Sequence, residues 1–345
     1  MINAAADETP NAPAAASSPA VDPADPADLP DTVTPPSTTL PWGVTPHRMK
    51  VGSIGSSSAT LAAEGASAAQ DEPDTEPTPE FGPKGQSYRS GALLTQQTNV
   101  EPPPAPPGLA AEPVDGVDNV EYAYGVGKQT ADTAGVAANM TIGKPKLAKE
   151  DWHSLAEIAA QSADGQQVIE VGWNVDRSIN GDNQTHLFVF SWVDGGPQCY
   201  NGCGFIPAKG ASIKPGDTLP EGVTKNFGVQ HIGNAWWVAY DTEWVGAFLD
   251  KSWNGNFVRT GQVQMFGEVA ASNIKPCTQM GDGDSTDLST AARFSSVVYV
   301  DGPAVSLSVR TIGDAFQVNR LSDRTFRYGG PGGSNEDRCK DHFES

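Results

Sequence analysis

Two glutamates in strand-like runs are the residues of this sequence best suited to chemistry. Glu170 stands in the run VIEVGW at 168–173, and Glu268 stands in GQVQMFGEV at 261–269. Because side chains alternate along a strand, each glutamate lies opposite the apolar residues that would face a core. Two such carboxyl groups on one sheet face can hold different pKa values and perform acid–base chemistry. The same alternation also fits two ordinary acids that face solvent.

The neighbours of these glutamates extend the pattern. Gln264 and Phe266 alternate with the apolar residues of the second run, so they share the predicted face of Glu268 and are candidates for lining a cleft. Simple packing is the alternative for both. Gly172 shares the predicted face of Glu170 and is expected to leave open space beside it. The tryptophans at 173, 236 and 237 are expected in the core or in a cleft wall, because indole has no acid–base function near acidic pH.

The cysteines and histidines argue against a metal centre. The five histidines show no paired spacing, and a single CxxxC (199–203) lacks the second pair of a zinc site. The acidic run DGDSTD at 282–287 lacks the glycine and terminal glutamate of an EF-hand calcium loop. We predict no metal and no cofactor. An even count of four cysteines fits an oxidising compartment, with Cys199 near Cys203 and with Cys277 and Cys339 left as a second pair.

The elements that must position these residues are mostly strands. Short β-rich runs separated by Gly, Asn and Asp follow position 122, which favours an all-β sandwich of two antiparallel sheets. The strand candidates are 168–175, 185–193, 204–207, 227–232, 235–241, 261–270, 293–300, 304–310, 315–319 and 325–328. One short helix is predicted at 149–161, because Leu155, Ile158 and Ala159 share a helical face.

Composition divides the chain into a leader and a folded domain. Residues 1–118 hold 20 of the 28 prolines and 16 acidic against 4 basic residues, so this Pro/Ala-rich leader is expected to be largely disordered. Its stretch 101–116 is predicted to be a stiff, exposed linker. The few basic and aromatic residues of 40–94 could dock on the domain. Residues 119–345 hold 24 of the 27 aromatic residues and form the predicted folded domain.

The net charge of −20 limits the partners of the chain. Without a cationic face, neither nucleic acid nor an anionic membrane is an expected partner. No run of 18 or more apolar residues predicts a membrane span, and the first 20 residues lack the pattern of a signal peptide. An Ala/Pro/Ser/Asp-rich leader commonly follows a removed signal, so we expect a secreted protein, and we expect a monomer.

Five separated motifs in matching order carry a family resemblance. They are IEVGWNVDRSINGDNQTHLFVFSWVDGGPQCYNGCGF (169–205, counted as two motifs that end in the cysteine loop), NAWW (234–237), FGEV (266–269) and TQMGDG (278–283). The sequence resembles the neprosin family of glutamic peptidases over about 122–299. The resemblance implies a β-sandwich endopeptidase that cuts proline-containing peptides after proline, in acid, with two glutamates.

The resemblance also assigns residues. The catalytic glutamates of the family map onto Glu170 and Glu268, and its short disulfide loop around CYN maps onto Cys199 and Cys203, one residue shorter than the usual form. Tyr200 and Gln279 lie in matched motifs and join the candidates for substrate binding. The implied mechanism is direct attack by water, with one glutamate as base and the other as acid. We assign Glu170 as the base and Glu268 as the acid, with the roles exchangeable within the pair.

The leader acquires a role from the same resemblance. Family members are typically made as latent precursors, so the leader is a candidate inhibitor, and acid would trigger a cut after a proline between Pro102 and Pro113. An inert spacer is the alternative. Two other functions fit the sequence: a glycosidase that uses two glutamates on a concave sheet, and a secreted carbohydrate- or peptide-binding module with exposed tryptophans.

Overall fold

The computed structural model describes residues 29–46 and 121–343; most of the leader, including the linker 101–116, lies outside the described residues. Strands dominate the second range. They are β1 (Glu121–Thr130), β2 (Gly135–Ile142), β3 (His153–Gln161), β4 (Val168–Asp176), β5 (His186–Val193), β6 (Gly196–Pro197), β7 (Phe205–Pro207), β8 (Val223–Ile232), β9 (Ala235–Tyr240), β10 (Glu243–Leu249), β11 (Gln262–Ala271), β12 (Arg293–Val300), β13 (Ser308–Ile312), β14 (Gln317–Ser322) and β15 (Thr325–Gly329).

These strands form two antiparallel sheets. The seven-stranded sheet has the order β13-β1-β11-β3-β4-β5-β6, and the eight-stranded sheet has the order β14-β15-β12-β2-β8-β9-β10-β7. The predicted all-β architecture of two antiparallel sheets is confirmed. Strands β11, β3 and β4 lie at the centre of the seven-stranded sheet, so the two predicted glutamate strands are separated by a single strand.

The main core fills the space between the sheets. On β4 the predicted core residues Ile169, Val171 and Trp173 are fully buried in it, and Trp236 joins them from the other sheet. Trp173 Nε1 donates a hydrogen bond of 2.8 Å to the carbonyl oxygen of Thr141, so the indole is satisfied inside the core. Alternation on β4 therefore directs Glu170 to the outer face of its sheet.

The helix predicted at 149–161 is wrong. Residues 153–161 form β3, which pairs with β4 on one side and with β11 on the other. The segment HSLAEIAAQ is rich in alanine and other helix-forming residues, but pairing on both edges satisfies its whole backbone and overrides that local preference. The strand buries Ala156, Ile158 and Ala160 in the main core. A short helix does occur, at Arg177–Asn180, directly after β4.

Other differences concern strands whose sequence signal is weak. Strands β1, β2, β6 and β10 were not predicted, and the strand expected at 304–310 lies at Ser308–Ile312. All of the unpredicted strands pair along most of their length with predicted neighbours, as β1 does with β11. Their glycines and alanines weaken the intrinsic strand preference, so partner strands determine their structure.

Each sheet also has an outer face, and the two outer faces differ. We call the outer face of the seven-stranded sheet the front face and that of the eight-stranded sheet the back face. Leader residues 29–46, here the anchor segment, pack on the back face. Leu40 is 1% exposed there and lies in a cluster with Trp237 and Trp244. Val33 forms a parallel bridge with Ala208 at the edge of the sheet.

Two disulfides are present. Cys199 is bonded to Cys203 in the loop after β6, and Cys277 is bonded to Cys339, which ties the loop after β11 to a C-terminal 3₁₀ turn. Both pairings agree with the predicted ones. Among residues 29–46 and 121–343, no helix has the length and apolar character needed to cross a membrane.

Candidate active site

The front face brings Glu170 and Glu268 to the same side of one sheet. In the register, Glu170 pairs with Ala159 of β3, and Glu268 pairs with Leu155 of the same strand. The two glutamates are thus one strand apart and offset by four residues along β3, an even number that keeps both on one face. Both side chains are fully buried. They do not face solvent as ordinary surface acids would.

A third buried glutamate lies between them. Glu157 of β3 pairs with Gly172 on one side and with Phe266 on the other. It is therefore a diagonal neighbour of both Glu170 and Glu268, and diagonal neighbours in a sheet are about 7–8 Å apart. Glu157 is also fully buried. Three carboxyl groups consequently follow one diagonal line across β4, β3 and β11.

Glu268 accepts hydrogen bonds from two donors. His153 Nε2 lies 2.7 Å from its Oε1, and the hydroxyl of Tyr124, the residue opposite on β1, also hydrogen-bonds to this carboxyl group. On its other side, His153 Nδ1 lies 3.5 Å from Oδ2 of Asp176. A buried row of Asp176, His153 and Glu268 therefore crosses the end of the front face.

The charges of this row determine its protonation. Burial alone would lower the pKa of His153, but hydrogen bonds and charges from Asp176 and Glu268 outweigh it and raise the pKa to about 9. His153 is therefore an imidazolium in acid and at neutral pH. Burial, together with the negative charge of Glu268, raises the pKa of Tyr124, so its phenol stays neutral and donates. Both neighbours favour an ionised Glu268.

Glu170 has a different environment. Trp192 Nε1, on the adjacent β5, donates a hydrogen bond of 2.9 Å to its Oε1. The open space expected beside Glu170 is absent, because a Cβ on Gly172 would lie 2.0 Å from the carbonyl oxygen of Ala156. Gly172 instead permits the backbone of β3 to approach closely. Phe190, which pairs with Glu170, adds an apolar wall on this side.

The structure brings three of the four predicted substrate-binding residues to the front face. Gln264 and Phe266 are fully buried on β11, and Gln161 Nε2 donates a 3.3 Å hydrogen bond to Gln264 Oε1. The ring of Tyr200 lies 4.9 Å from that of Phe190. Gln279 is elsewhere: its side chain accepts from the backbone of Lys146 and donates to Ser334, so it ties two loops together.

A cavity opens at the end of the seven-stranded sheet where β1 begins and β11 ends. Its volume is about 410 Å³, and it lies beside the start of β1, the end of β11 and three loops. Tyr122 lines the cavity and stacks on Tyr124 with ring centroids 6.1 Å apart. Ile274, which is 61% exposed, contributes an apolar wall. The cavity is therefore one aromatic ring away from the Tyr124–Glu268 contact.

One group of side chains has metal-ligand types at close range. Among the described residues, Glu150, Cys277 and His342 bring ligand atoms within 4.8 Å of one another. The sulfur of Cys277 is bonded to Cys339, so no thiolate is present at this position. The group lies at the C-terminal 3₁₀ turn and not on the front face.

Sequence reasoning missed His153, Glu157 and Asp176. The first two fall in the segment predicted to be a helix, where they would share a helical face but would not join the sheet that carries Glu170 and Glu268. The alternating pattern was present in the letters: His153, Leu155 and Glu157 alternate with Ser154, Ala156 and Ile158. Asp176 follows the recognised strand by one residue. A strand interpretation of 153–161 would have found the first two.

Fold and site together define a β-sandwich protein that holds buried acid–base side chains on one outer sheet face. The family model described as Neprosin matches residues 150–344, and the chain belongs to the neprosin family. Membership in this family identifies the chain as a peptidase of the glutamic type. No curated protein sequence matches the chain.

Several solved structures share a distant likeness. Scytalido-glutamic peptidase with a transition state analog inhibitor has 12% identity and a TM-score of 0.41, covering 61% of this chain and 99% of that one. SCP-B, a member of the eqolisin family of peptidases in complex with the tripeptide Ala-Ile-His, has 12% identity and a TM-score of 0.36 with the same coverage. Chicken galectin 2 has 9% identity and a TM-score of 0.25, covering 42% and 96%. At these TM-scores the likenesses assign no function.

Proposed function

We propose that the chain is an acid-active endopeptidase that cuts after proline and uses Glu170 and Glu268 to activate water. The observation that carries this proposal is the pair of fully buried glutamates on one sheet face, with Glu268 next to a cationic histidine. Burying a carboxylate costs free energy unless it is compensated, so buried acids of this kind are typical of working sites. Membership in the neprosin family supports both the acid–base chemistry and the proline preference.

The environments of the two glutamates favour one division of roles. A pair that activates water needs one ionised and one protonated carboxyl group. Glu268 accepts from His153 and Tyr124, which favours its ionised form, so we assign it as the base. Glu170, which accepts a neutral indole N–H, is the acid. This reverses the assignment made from the sequence, which had no information on the neighbours of either residue.

The proposed steps conserve protons. Ionised Glu268 takes a proton from water, and the resulting hydroxide forms a bond to the peptide carbonyl carbon. Protonated Glu170 gives its proton to the carbonyl oxygen, which becomes a tetrahedral hydroxyl. Glu268 then gives its proton to the leaving nitrogen, the C–N bond breaks, and the new carboxylic acid returns a proton to Glu170. The net reaction consumes one peptide bond and one water molecule.

We further propose that the protein is secreted and made as a latent precursor. Two disulfides are compatible with an oxidising compartment. Six prolines between Pro102 and Pro113 stand where leader and domain join, so they offer cleavage sites of the preferred kind. Loss of charge from leader carboxylates in acid would weaken contacts with the domain and start activation.

Hydrolysis of defined peptides tests the activity. The purified full chain is incubated near pH 4 with a proline-containing peptide and with its Pro→Ala counterpart, and the products are identified by mass. We expect cuts only after proline. Glu170→Gln and Glu268→Gln should each reduce turnover at least 10³-fold while the protein remains folded at the assay pH, because each keeps the side-chain shape but removes the proton transfer.

A matched control and the intact mass complete the test. Glu221→Gln changes a surface glutamate that pairs with Lys144, and it should retain full activity. If the wild type, but not the glutamine variants, loses the mass expected for a cut within 102–113, the result would support self-activation. Retained activity in Glu170→Gln or Glu268→Gln would refute the glutamate assignment. If the wild type cleaves no peptide in acid, the glycosidase and binding-module alternatives would be favoured.

A further inference from the structure

His153 occupies a fixed position between two carboxylates. Its direct neighbour in the β3–β4 register is Asp176, and it is a diagonal neighbour of Glu268 on β11. Asp176 is itself held in place, because its Oδ1 accepts a 3.1 Å hydrogen bond from the backbone N–H of Ile179 in the short helix. His153 is 7% exposed and Asp176 is 1% exposed. Two central strands and a helix start therefore fix the ring.

From this geometry we infer that His153, held by Asp176, is a positioning residue that keeps Glu268 ionised and oriented in acid. The inference deepens the proposed function, since it takes Glu268 as the base of that reaction. His153 itself touches no reacting atom. It acts through the 2.7 Å hydrogen bond to Glu268 Oε1.

The need for such a residue follows from the working pH. An ordinary glutamate titrates near 4.3, so a base of that kind would be mostly protonated, and hence inactive, at pH 3–4. A fixed imidazolium at hydrogen-bond distance favours the charged carboxylate and extends its ionisation to lower pH. The peptidase then keeps its base in the same acid that protonates its proton donor.

The contacts of the ring favour its charged form. Nε2 lies at hydrogen-bond distance from Glu268 Oε1, and Nδ1 lies 3.5 Å from Asp176 Oδ2, so an imidazolium is attracted to both carboxyl groups and can donate to the nearer one. The pKa of His153 is raised to about 9 by these two partners against the opposing effect of burial. The contacts of the ring and its raised pKa therefore both indicate that His153 is an imidazolium.

Other titratable groups face this row. From β1 these are Tyr122, whose ring centroid lies 6.4 Å from that of His153, and Tyr124; both phenols are neutral in acid. From β3 it is Glu157, whose negative charge would oppose ionisation of Glu268. From β4 it is Asp176, and β11 contributes Glu268 itself. Lys128 also points to the front face from β1, but it lies opposite Gln264, four residues along β1 from Tyr124. Among the described residues of this row the imidazolium of His153 is the cation in contact with Glu268, so removing it should have a large effect on Glu268.

The pH dependence of kcat/KM tests the inference. In the wild-type chain the acid limb reports ionisation of the base. In His153→Gln we expect this limb to move to higher pH by at least one unit, with about tenfold less activity at pH 3 and little loss near the optimum. Asp176→Asn should move the limb in the same direction by less. A uniform loss at every pH, with the limb unmoved, would show a merely structural role and overturn the inference.

A second measurement does not depend on activity. NMR of ¹⁵N-histidine-labelled full chain carrying Glu268→Gln or Asp176→Asn reports the charge of His153 directly. In the wild type we expect both ring nitrogens to remain protonated at pH 7.5, and each variant should lower the pH at which the ring loses its proton. A ring that is neutral at pH 7.5 in the wild type refutes the inference even if His153→Gln does not fold. If Glu268→Gln hydrolyses peptide normally, the proposed function fails instead, independently of the histidine result.

Discussion

The two outer faces of the sandwich differ in the side chains that they bury. On the back face, alternate strand residues such as Trp237 and Trp244 are apolar, and the anchor segment covers them with Leu40. On the front face, an apolar cluster that includes Phe190 and Phe266 surrounds buried carboxyl groups such as Glu157 and Glu170. Apolar outer residues stabilise a sheet when chain covers them, whereas buried carboxylates reduce stability. The back face is therefore built for stability and the front face for chemistry.

The anchor segment illustrates how the back face is closed. The backbone N–H of Val33 donates to Pro207, and the N–H of Lys209 donates to Val33, so the segment extends the edge of the sheet at β7. Trp244 Nε1 donates a 3.4 Å hydrogen bond to the carbonyl oxygen of Thr38. The leader is thus partly integrated into the fold, on the side opposite the glutamates.

The largest expected difference between the faces is that a front-face residue, His153, makes the stability of the protein depend on pH. Because the folded pKa of His153 lies near 9, above its ordinary 6.5, its contribution is fully present below pH 6.5 and is lost as pH rises through 9. We compare the free energy of unfolding of the wild type with that of His153→Gln. The wild type should be the more stable at pH 6, and its advantage should be about 3 kcal/mol larger there than at pH 9.5. Urea unfolding at both pH values measures this. A difference that does not change with pH would contradict the charge assigned to the ring.

A back-face variant should lose stability without losing activity. Leu40→Ala removes a buried side chain, so we expect the free energy of unfolding to fall by about 2–3 kcal/mol, equally at pH 6 and pH 9.5. Once the linker has been cut in acid, the kcat/KM for peptide should stay within twofold of wild type. The exposed neighbour provides the control, since Thr39→Ala should change neither quantity. A large loss of activity in Leu40→Ala would mean that the two faces are coupled.

The middle glutamate of the front face should tune the reaction. Glu157→Gln removes a negative charge that is a diagonal neighbour of both Glu170 and Glu268. A negative charge beside the pair helps it to retain the proton that the reaction needs, so without that charge we expect kcat to fall by about tenfold above the pH optimum. An effect as large as that of Glu268→Gln would instead place Glu157 among the reacting groups.

The smallest expected effect concerns one hydrogen bond on the back face. Trp244→Phe keeps most of the apolar contact with Leu40 but removes the N–H that donates to Thr38. We expect a loss of about 1 kcal/mol in the free energy of unfolding and unchanged peptide hydrolysis. Increased susceptibility of residues 29–46 to an added protease would confirm that the bond holds the anchor segment. Unchanged stability and susceptibility would show that packing alone holds it.

Much of the fold was predictable because alternation in several strands is strong. The strands around Glu170 and Glu268 alternate clearly, so the sequence predicted that both glutamates lie opposite the core residues of their strands, and it also predicted the two disulfide pairs. Strand β3 was not predicted, because its alanines and leucine favour a helix locally. That error concealed His153 and Glu157, the two residues that most change the interpretation of the site.

The sequence by itself determined the class of fold, the family and which glutamates to examine, because these depend on local alternation and on short motifs. Only the tertiary structure decided that β3 lies between the two glutamate strands, and hence that Glu157 separates the pair and that His153 contacts Glu268. It also decided that Leu40 and Trp244, about two hundred residues apart, meet on the back face. Such pairings depend on strand order and register, which arise from long-range packing and not from neighbouring residues.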